Sequence, residues 1–398
     1  MNSNNTNSKI NTMKTSMKGI TNIGSNQDCS YANSVLQSLS CLDVSKQFIQ
    51  SFNSFQINNS TNYLTQSVIK LLGALNNKCI GNSQDIINNF KQSYQKNKDK
   101  IQSKNVLKED PFHFLYFLLQ FIHLENNAPK NPNFNIQEFK NLSNENRHND
   151  YNMNNLYWNY YENTQNSMIS QNFFTIEKYI NQCPNQNCGC SFSYGMKNLF
   201  RIDVDMAINY RDSIDQTKRN TNINIYDCLN YYCKNYNVKC PYCGQNATKH
   251  TELCLPNKVL IFVFERNNHN FNHDIDFGFD IDINNYISQS YSCRDHTKYI
   301  LKACISLSQE PKYLSCCLIQ DNNNIYWMRF IDEQYSILNN PNEIMQNEPQ
   351  ILIYEWGNEN NNFQSNISNQ KYISNNNNNN NNLTGDDVIN QNYLRNNQ

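Results

Sequence analysis

Two short pairs of cysteines have the spacing of metal-binding knuckles. Cys183 and Cys188 enclose Pro-Asn-Gln-Asn, and Cys240 and Cys243 enclose Pro-Tyr. Two such pairs separated by a long segment form a zinc-ribbon pattern, because each pair lies on a tight turn and the four thiolates complete a tetrahedral site. The spacing of the first pair is one or two residues wider than the standard knuckle, so Cys190 could replace Cys188 as a ligand. The alternative to a metal site is a set of buried cysteines that act as small hydrophobes. We expect a structural zinc ion that takes no part in a reaction.

A second candidate for chemistry is a thiol at the start of a helix. Residues 19–24 form a glycine-containing loop, and Cys29 directly precedes a segment, 31–42, whose apolar residues recur at helical spacing. A helix N-terminus lowers the pKa of a thiol and stabilises the nucleophilic thiolate. The alternative is an ordinary helix that is capped by Ser30 or Asp28.

The composition indicates a globular protein that is rich in uncharged polar residues. The 398-residue chain has a formal charge of −1, and its 25 Tyr and 21 Phe supply bulk for a core. The near-zero charge argues against a nucleic-acid partner, which needs a basic stripe. Residues 1–20 lack the apolar core of a secretory signal, and no apolar run is long enough to span a membrane. We therefore expect a cytoplasmic or nuclear protein. In such a compartment its 15 cysteines are expected to be thiols, metal ligands or nucleophiles rather than disulfides.

Periodicity predicts helices in the first half of the chain and strands in the second. The helices are expected at 31–42 and 112–124, and the polar segments 126–155 and 267–273 are predicted as loops or insertions. This order favours an α+β fold in which a helical lobe faces a mostly antiparallel sheet. The predicted strands are 192–204, 258–264, 275–283, 299–307, 314–320, 325–330 and 350–354.

Five segments, in the same order along the chain, resemble the motifs of the ubiquitin-specific proteases. The paired cysteines also fall where that family's finger subdomain carries zinc. The segments are 19–37 (similar to the Cys box G-L-x-N-L-G-N-T-C-Y-x-N-S-x-L-Q), 109–115 (Q-D-A-H-E-F-L), 255–266 (L-P-x-x-L-I-x-x-L-K-R-F), 277–282 (F-P-x-x-L-D-L) and 299–305 (the strand before the His box).

The resemblance implies an α+β, papain-like hand with a helical thumb, an antiparallel β palm and zinc-ribbon fingers. Such a hand holds ubiquitin while the tail of ubiquitin enters the cleft. The domain is expected at 19–356, with fingers at about 175–255 and the polar insertion at about 126–155. The segments 1–18 and 357–398 are expected to be disordered, the latter because of its Asn-rich tract.

The sequence departs from the family's Cys box at the position of the nucleophile. Aligning on Tyr31 and Asn33 puts Ser30 at the nucleophile position, whereas aligning on the preceding loop puts Cys29 there. Asn22 matches the family residue that helps to bind the developing oxyanion. The resemblance therefore leaves both Cys29 and Ser30 as candidates.

The base and its partner also depart from the family pattern. Lys312 stands where the G-H-Y motif has histidine, and Ile331 replaces the first Asp of W-x-x-F-D-D, while Asp332 matches the second. A lysine is normally protonated at pH 7 and then cannot accept a proton. His296 precedes the strand, and the other two nearby histidines, His269 and His273, lie in the polar segment.

These departures predict a protein that binds ubiquitin or a ubiquitinated partner but is catalytically impaired or inactive. One alternative is an active thiol-dependent deubiquitinase with Cys29 as nucleophile, or a variant that pairs Ser30 with Lys312. Another alternative is a structural scaffold that does not bind ubiquitin.

Overall fold

The fold was analysed in a computed structural model of the chain. The loop with Asn22, the predicted disordered segment 1–18, the polar segment 267–273 and the predicted tail beyond Gly357 lie outside the described residues. His296 lies outside them as well. The structure describes residues 29–54, 63–76, 83–101, 109–219, 221–266, 274–289, 297–308, 312–321, 324–332 and 334–357.

Helices make up the first part of the described chain. The helix that follows Cys29 is amphipathic in sequence but buried along its whole length, because both the other helices and the sheet pack on it. The helix predicted at 112–124 is observed as Pro111–Asn126, and the carboxylate of Asp110 caps it by accepting from the N–H of His113. The helices are α1 Ser30–Ser40, α2 Asp43–Ser54, α3 Tyr63–Leu75, α4 Ser83–Ile101, α5 Pro111–Asn126, α6 Ile136–Asn146, α7 Asp150–Thr164, α8 Met168–Phe173, α9 Val204–Ile214 and α10 Ile225–Cys233.

The strands follow and form two main sheets, so the predicted α+β order is confirmed. An eight-stranded palm sheet has the order β13-β12-β11-β10-β14-β7-β3, with β9 paired to β10, and every pairing is antiparallel except β3–β7. A four-stranded finger sheet has the order β2-β1-β6-β5. The strands are β1 Thr175–Gln182, β2 Cys190–Lys197, β3 Phe200–Asp203, β4 Ile223–Asn224, β5 Tyr236–Lys239, β6 Asn246–Leu255, β7 Val259–Glu265, β8 Ile275–Asp276, β9 Asp280–Asp282, β10 Lys298–Leu307, β11 Tyr313–Asp321, β12 Asn324–Ile331, β13 Gln334–Ile337 and β14 Pro349–Trp356.

The palm sheet is buried on both faces, which explains its long apolar strands. In β7, Ile261 and Val263 pack against the helical lobe, whereas Leu260 and Phe262 pack on the opposite side with α9 and α10. Because side chains alternate across a strand, a strand that is covered on both faces reads as a continuous apolar run. Helix α1 lies against β10, β11 and β12. The candidate nucleophiles are therefore held next to β11, which begins directly after Lys312, and β12, which ends directly before Asp332.

Three expectations from the sequence were wrong in detail. The segment 126–155 is not a loop, because it contains α6 and the start of α7. The strand expected at 192–204 is two strands in different sheets, β2 in the fingers and β3 in the palm. The strand expected at 275–283 is interrupted, with β8 and β9 separated by a short turn. Among the described residues, no helix has both the length and the apolarity to cross a bilayer.

Candidate functional site

The two candidate nucleophiles occupy different positions at the start of α1. Cys29 is the N-cap residue, and its carbonyl oxygen accepts from the N–H groups of Ala32 and Asn33 at 3.1 and 3.0 Å. Ser30 is the first helical residue and is fully buried. Its hydroxyl oxygen accepts a hydrogen bond from the backbone N–H of Tyr313 at 3.0 Å, so Ser30 lies directly against the strand that follows Lys312.

Lys312, at the position expected for a base, forms an ion pair. Its Nζ lies 3.2 Å from Oδ2 of Asp332, with the two side chains 45% and 30% exposed. The other carboxylate oxygen, Oδ1, accepts from Nδ2 of Asn33 at 3.1 Å. Asp332 has φ of +49°, a left-handed conformation that is uncommon outside glycine. The carboxylate therefore bridges the ammonium group and the Cys-box helix.

The Lys312–Asp332 ion pair does not itself provide a general base. A protonated lysine has three donors and no acceptor, and a carboxylate at 3.2 Å stabilises the protonated form. Ile331, which stands where an orienting carboxylate is expected, is an apolar residue that packs against the core on the far side of the palm sheet. The site thus holds a hydroxyl or thiol beside an ammonium–carboxylate pair, and Asn22 lies outside the described residues.

A histidine–carboxylate pair that the sequence analysis missed lies at the start of α5. Nδ1 of His113 is 2.6 Å from Oδ2 of Asp110, and the imidazole also contacts the ring of Phe112, with 4.8 Å between centroids. Helix α5 packs beside α1, and the ring of Phe114 meets that of Tyr31 edge-on at 5.7 Å. The signal in the sequence is an N-cap Asp followed three residues later by His, a spacing that brings the two side chains together.

The four cysteines predicted as metal ligands come together at the tip of the finger sheet. The Sγ atoms of Cys183, Cys188, Cys240 and Cys243 all lie within 4.8 Å of one another, and those of Cys183 and Cys243 are 3.6 Å apart. A tetrahedral zinc site with Zn–S bonds of about 2.3 Å has sulfur atoms about 3.8 Å apart. The donor set therefore fits zinc in both chemistry and spacing. Cys190 is exposed on β2 and does not belong to this cluster.

Each cysteine pair ends in a glycine that closes its turn. Gly189 and Gly244, directly after the second cysteine of each pair, have φ of +51° and +73°, which residues with a Cβ adopt at a cost. The N–H of Gly244 donates to the carbonyl of Cys240 at 2.9 Å. Backbone N–H groups of Tyr242 and Cys243 lower the pKa of the Cys240 thiol to about 7, so one ligand is poised as a thiolate.

The sequence matches the family model "Ubiquitin carboxyl-terminal hydrolase" over residues 18–354. No curated protein matches it. Among solved structures, the fold is similar to the SAGA DUB module Ubp8/Sgf11/Sus1/Sgf73 bound to monoubiquitin, with a TM-score of 0.58 and 16% identity over 87% of this chain and 70% of that chain.

Two further structures of the same kind give similar values. The module bound to ubiquitin aldehyde has a TM-score of 0.57 and 16% identity, again over 87% of this chain and 70% of that chain. A yeast SAGA DUB module with altered Sgf73 has a TM-score of 0.58 and 17% identity with the same coverage. At such identities the likeness establishes the fold and leaves function to the residues of the site.

Proposed function

Because the chain belongs to the ubiquitin carboxyl-terminal hydrolase family, with the family model matching residues 18–354, we propose that it binds ubiquitin or a ubiquitinated protein without hydrolysing it. The observation that carries this proposal is the ion pair between Lys312 and Asp332 at the position of the base. A nucleophile needs a neighbouring group that takes its proton, and an ammonium group held by a carboxylate does not. The loss of a general base alone typically costs about 10² to 10⁴ in rate.

Retention of the binding fold supports the ubiquitin part of the proposal. The helical lobe, the palm and the finger sheet are all present, and two of the similar solved structures are described as bound to monoubiquitin and to ubiquitin aldehyde. At the positions of the family's catalytic residues, Asp332 contacts both Asn33 and Lys312, which supports the inactive part of the proposal. We propose that zinc, held by the four clustered cysteines, stiffens the finger sheet and takes no part in any reaction. The predicted cytoplasmic or nuclear location remains a proposal.

A pair of measurements tests the proposal. With ubiquitin that carries a C-terminal aminomethylcoumarin, we expect fluorescence release at the rate of the buffer blank, because the group at the position of the base is an ammonium held by a carboxylate. In a titration with unmodified ubiquitin we expect saturable binding. Absence of binding at high micromolar ubiquitin would favour the scaffold alternative, in which the ubiquitin surface has also been lost.

One observation favours an active thiol enzyme as a second candidate. Cys29 lies at the N-cap of α1, where the helix dipole favours an anion. If this thiol is catalytic, an electrophilic ubiquitin probe labels it and C29A abolishes both labelling and turnover. Turnover that persists in C29A but is lost in K312M would instead indicate the Ser30–Lys312 variant.

A further inference from the structure

A polar cavity of about 440 Å³ lies at the base of the fingers, away from the cleft of α1. Its walls come from the finger strands β1, β2, β5 and β6 on one side and from α9 and α10 on the other. This volume falls within the range of ligand-binding sites in proteins. The lining residues include three lysines, Lys197, Lys234 and Lys249, and four tyrosines, Tyr179, Tyr231, Tyr232 and Tyr236.

The three lysines converge on a cavity whose lining contains one carboxylate, that of Glu177. Elsewhere in the structure Lys178, Lys302 and Lys312 each lie within 4.0 Å of a carboxylate. Among the residues that the structure describes, none of the three cavity lysines has a carboxylate oxygen within that distance of its Nζ. Ammonium groups that share one cavity repel one another, so an anion between them is stabilised by all three.

Tyrosine rings fix two of these ammonium groups in place. Nζ of Lys249 lies 3.8 Å from the ring centroid of Tyr179, and Nζ of Lys234 lies 4.0 Å from that of Tyr231. A cation held over an aromatic face keeps N–H donors on its other side for a ligand. Burial also lowers the pKa of Lys234, and an anion next to it would reverse that effect.

The one carboxylate of the cavity does not neutralise these lysines at its mouth. Glu177 is fully buried and accepts hydrogen bonds from the hydroxyl groups of Tyr179, at 2.6 Å, and Tyr232. Burial raises the pKa of Glu177, which disfavours its charged form. Even with Glu177 ionised, three lysines against one carboxylate leave the cavity positively charged.

Exposed apolar side chains flank the cavity and indicate a peptide rather than a small ion. Met206 and Tyr236 line the cavity and are 48% and 36% exposed. A free inorganic anion gains nothing from contact with apolar side chains. A peptide with an apolar residue between acidic ones can bury them. The opposite face of the finger sheet is already occupied, because Asp150 at the start of α7 binds the buried Lys178 at 2.7 Å.

We propose that this finger-base cavity binds an acidic peptide segment of a partner protein, with its carboxylates on Lys197, Lys234 and Lys249 and an apolar side chain against Met206 and Tyr236. The site lies on residues other than those of the α1 cleft. Its test contains no ubiquitin, so its result is independent of the function proposed above.

The test is a fluorescence-anisotropy titration of the full chain with the fluorescein-labelled peptide Glu-Glu-Leu-Glu-Glu and its Gln-Gln-Leu-Gln-Gln counterpart. At about 50 mM salt, where screening is weak, we expect the acidic peptide to bind about tenfold more tightly or better. The double substitution K234Q/K249Q should weaken binding by about tenfold, whereas K140Q, an exposed lysine on α6, should leave it unchanged within about twofold.

Folding is checked for each variant through its melting temperature and zinc content. If K234Q/K249Q does not fold, K197Q replaces only an exposed lysine and should still weaken the acidic peptide measurably. Equal affinity for the two peptides, or equal loss in K140Q, overturns the proposal. Displacement by tripolyphosphate at lower concentrations than by the unlabelled acidic peptide also overturns it, because the cavity is then a site for small anions.

Discussion

Two lysines of this chain show how burial decides what an ion pair contributes. Lys312 pairs with Asp332 at the cleft and is 45% exposed, so water screens most of the interaction. Lys302 in β10 is almost fully buried and lies 2.8 Å from Asp43 and 3.7 Å from Glu355. Although burial opposes the charged form, these carboxylates raise the pKa of Lys302 above its usual value. Both lysines are charged at pH 7. At the exposed Lys312 water can replace a lost ion-pair partner, whereas at the buried Lys302 it cannot.

The same substitution at both sites should therefore have different effects on stability. We expect K302M to lower the free energy of unfolding by about 3 kcal/mol or more, because the buried Glu355 then loses its cation, whereas Asp43 keeps its ion pair with Lys46. We expect K312M to change it by less than about 1 kcal/mol. Urea denaturation at pH 7 measures both. Similar losses in the two variants would show that the cleft ion pair is structurally more important than its exposure indicates.

The cysteine knuckles determine the behaviour of the finger sheet as an element. Cys183 and Cys188 close the β1–β2 hairpin, whereas Cys240 and Cys243 close the β5–β6 hairpin, so one metal ion would join the two hairpins at their tips. Since the thiolates must be deprotonated, metal and protons compete for the site. The pKa of Cys240, about 7, is lowered, whereas desolvation raises the pKa of Cys183 and Cys188.

We predict that the purified chain contains one zinc ion per molecule and that a chelator lowers its melting temperature. C240S should abolish stoichiometric zinc, whereas C190S, at the exposed neighbouring cysteine, should retain it. Zinc release should become easier as the pH falls, because protons compete with the metal for the four thiolates. Metal analysis together with thermal melts tests this. Full zinc content in C240S and its loss in C190S would show that Cys190 is a ligand.

How far the sequence predicts these elements depends on how much surface each one buries. The zinc knuckles and the palm strands were predictable because their signals are local, a fixed cysteine spacing and long apolar runs. Helix α6 buries no residue completely and is rich in polar residues, so its composition predicts a loop. Helix α7 does carry a signal that was missed, since Met153, Tyr157 and Tyr161 recur every four residues and are buried.

The contacts that define the candidate site could not be predicted from local sequence patterns. The ion pair of Lys312 with Asp332 forms at one end of the β11–β12 hairpin, and the hydrogen bond from Asn33 spans 299 positions of the chain. The sequence identified these residues only through their resemblance to family motifs. Similarly, the cavity lysines are dispersed over β2, β6 and the end of α10, and only the packing of the fingers on the palm brings them together.

At the scale of the whole molecule, thiols and phenols are buried throughout the core. Cys228 and Cys233 lie in α10, and Cys254 lies in β6 of the fingers. Burial raises the pKa of each of these thiols to about 12. Burial likewise raises the pKa of Tyr161 to about 12. The folded chain therefore holds protons at high pH that an unfolded chain releases.

This difference predicts a steep loss of stability in alkali. A thiol in the unfolded chain ionises near pH 9, whereas Cys228 in the folded chain keeps its proton to about pH 12, so stability is intact below pH 9 and falls as the pH rises between these values. Each such group contributes about 1.4 kcal/mol per pH unit to the slope. Replacing one of them, in C228A, should reduce the slope of the unfolding free energy between about pH 9.5 and 11 by that amount. Urea titrations at several pH values measure this slope, and an unchanged slope in C228A would mean that the thiol reaches solvent in the folded protein.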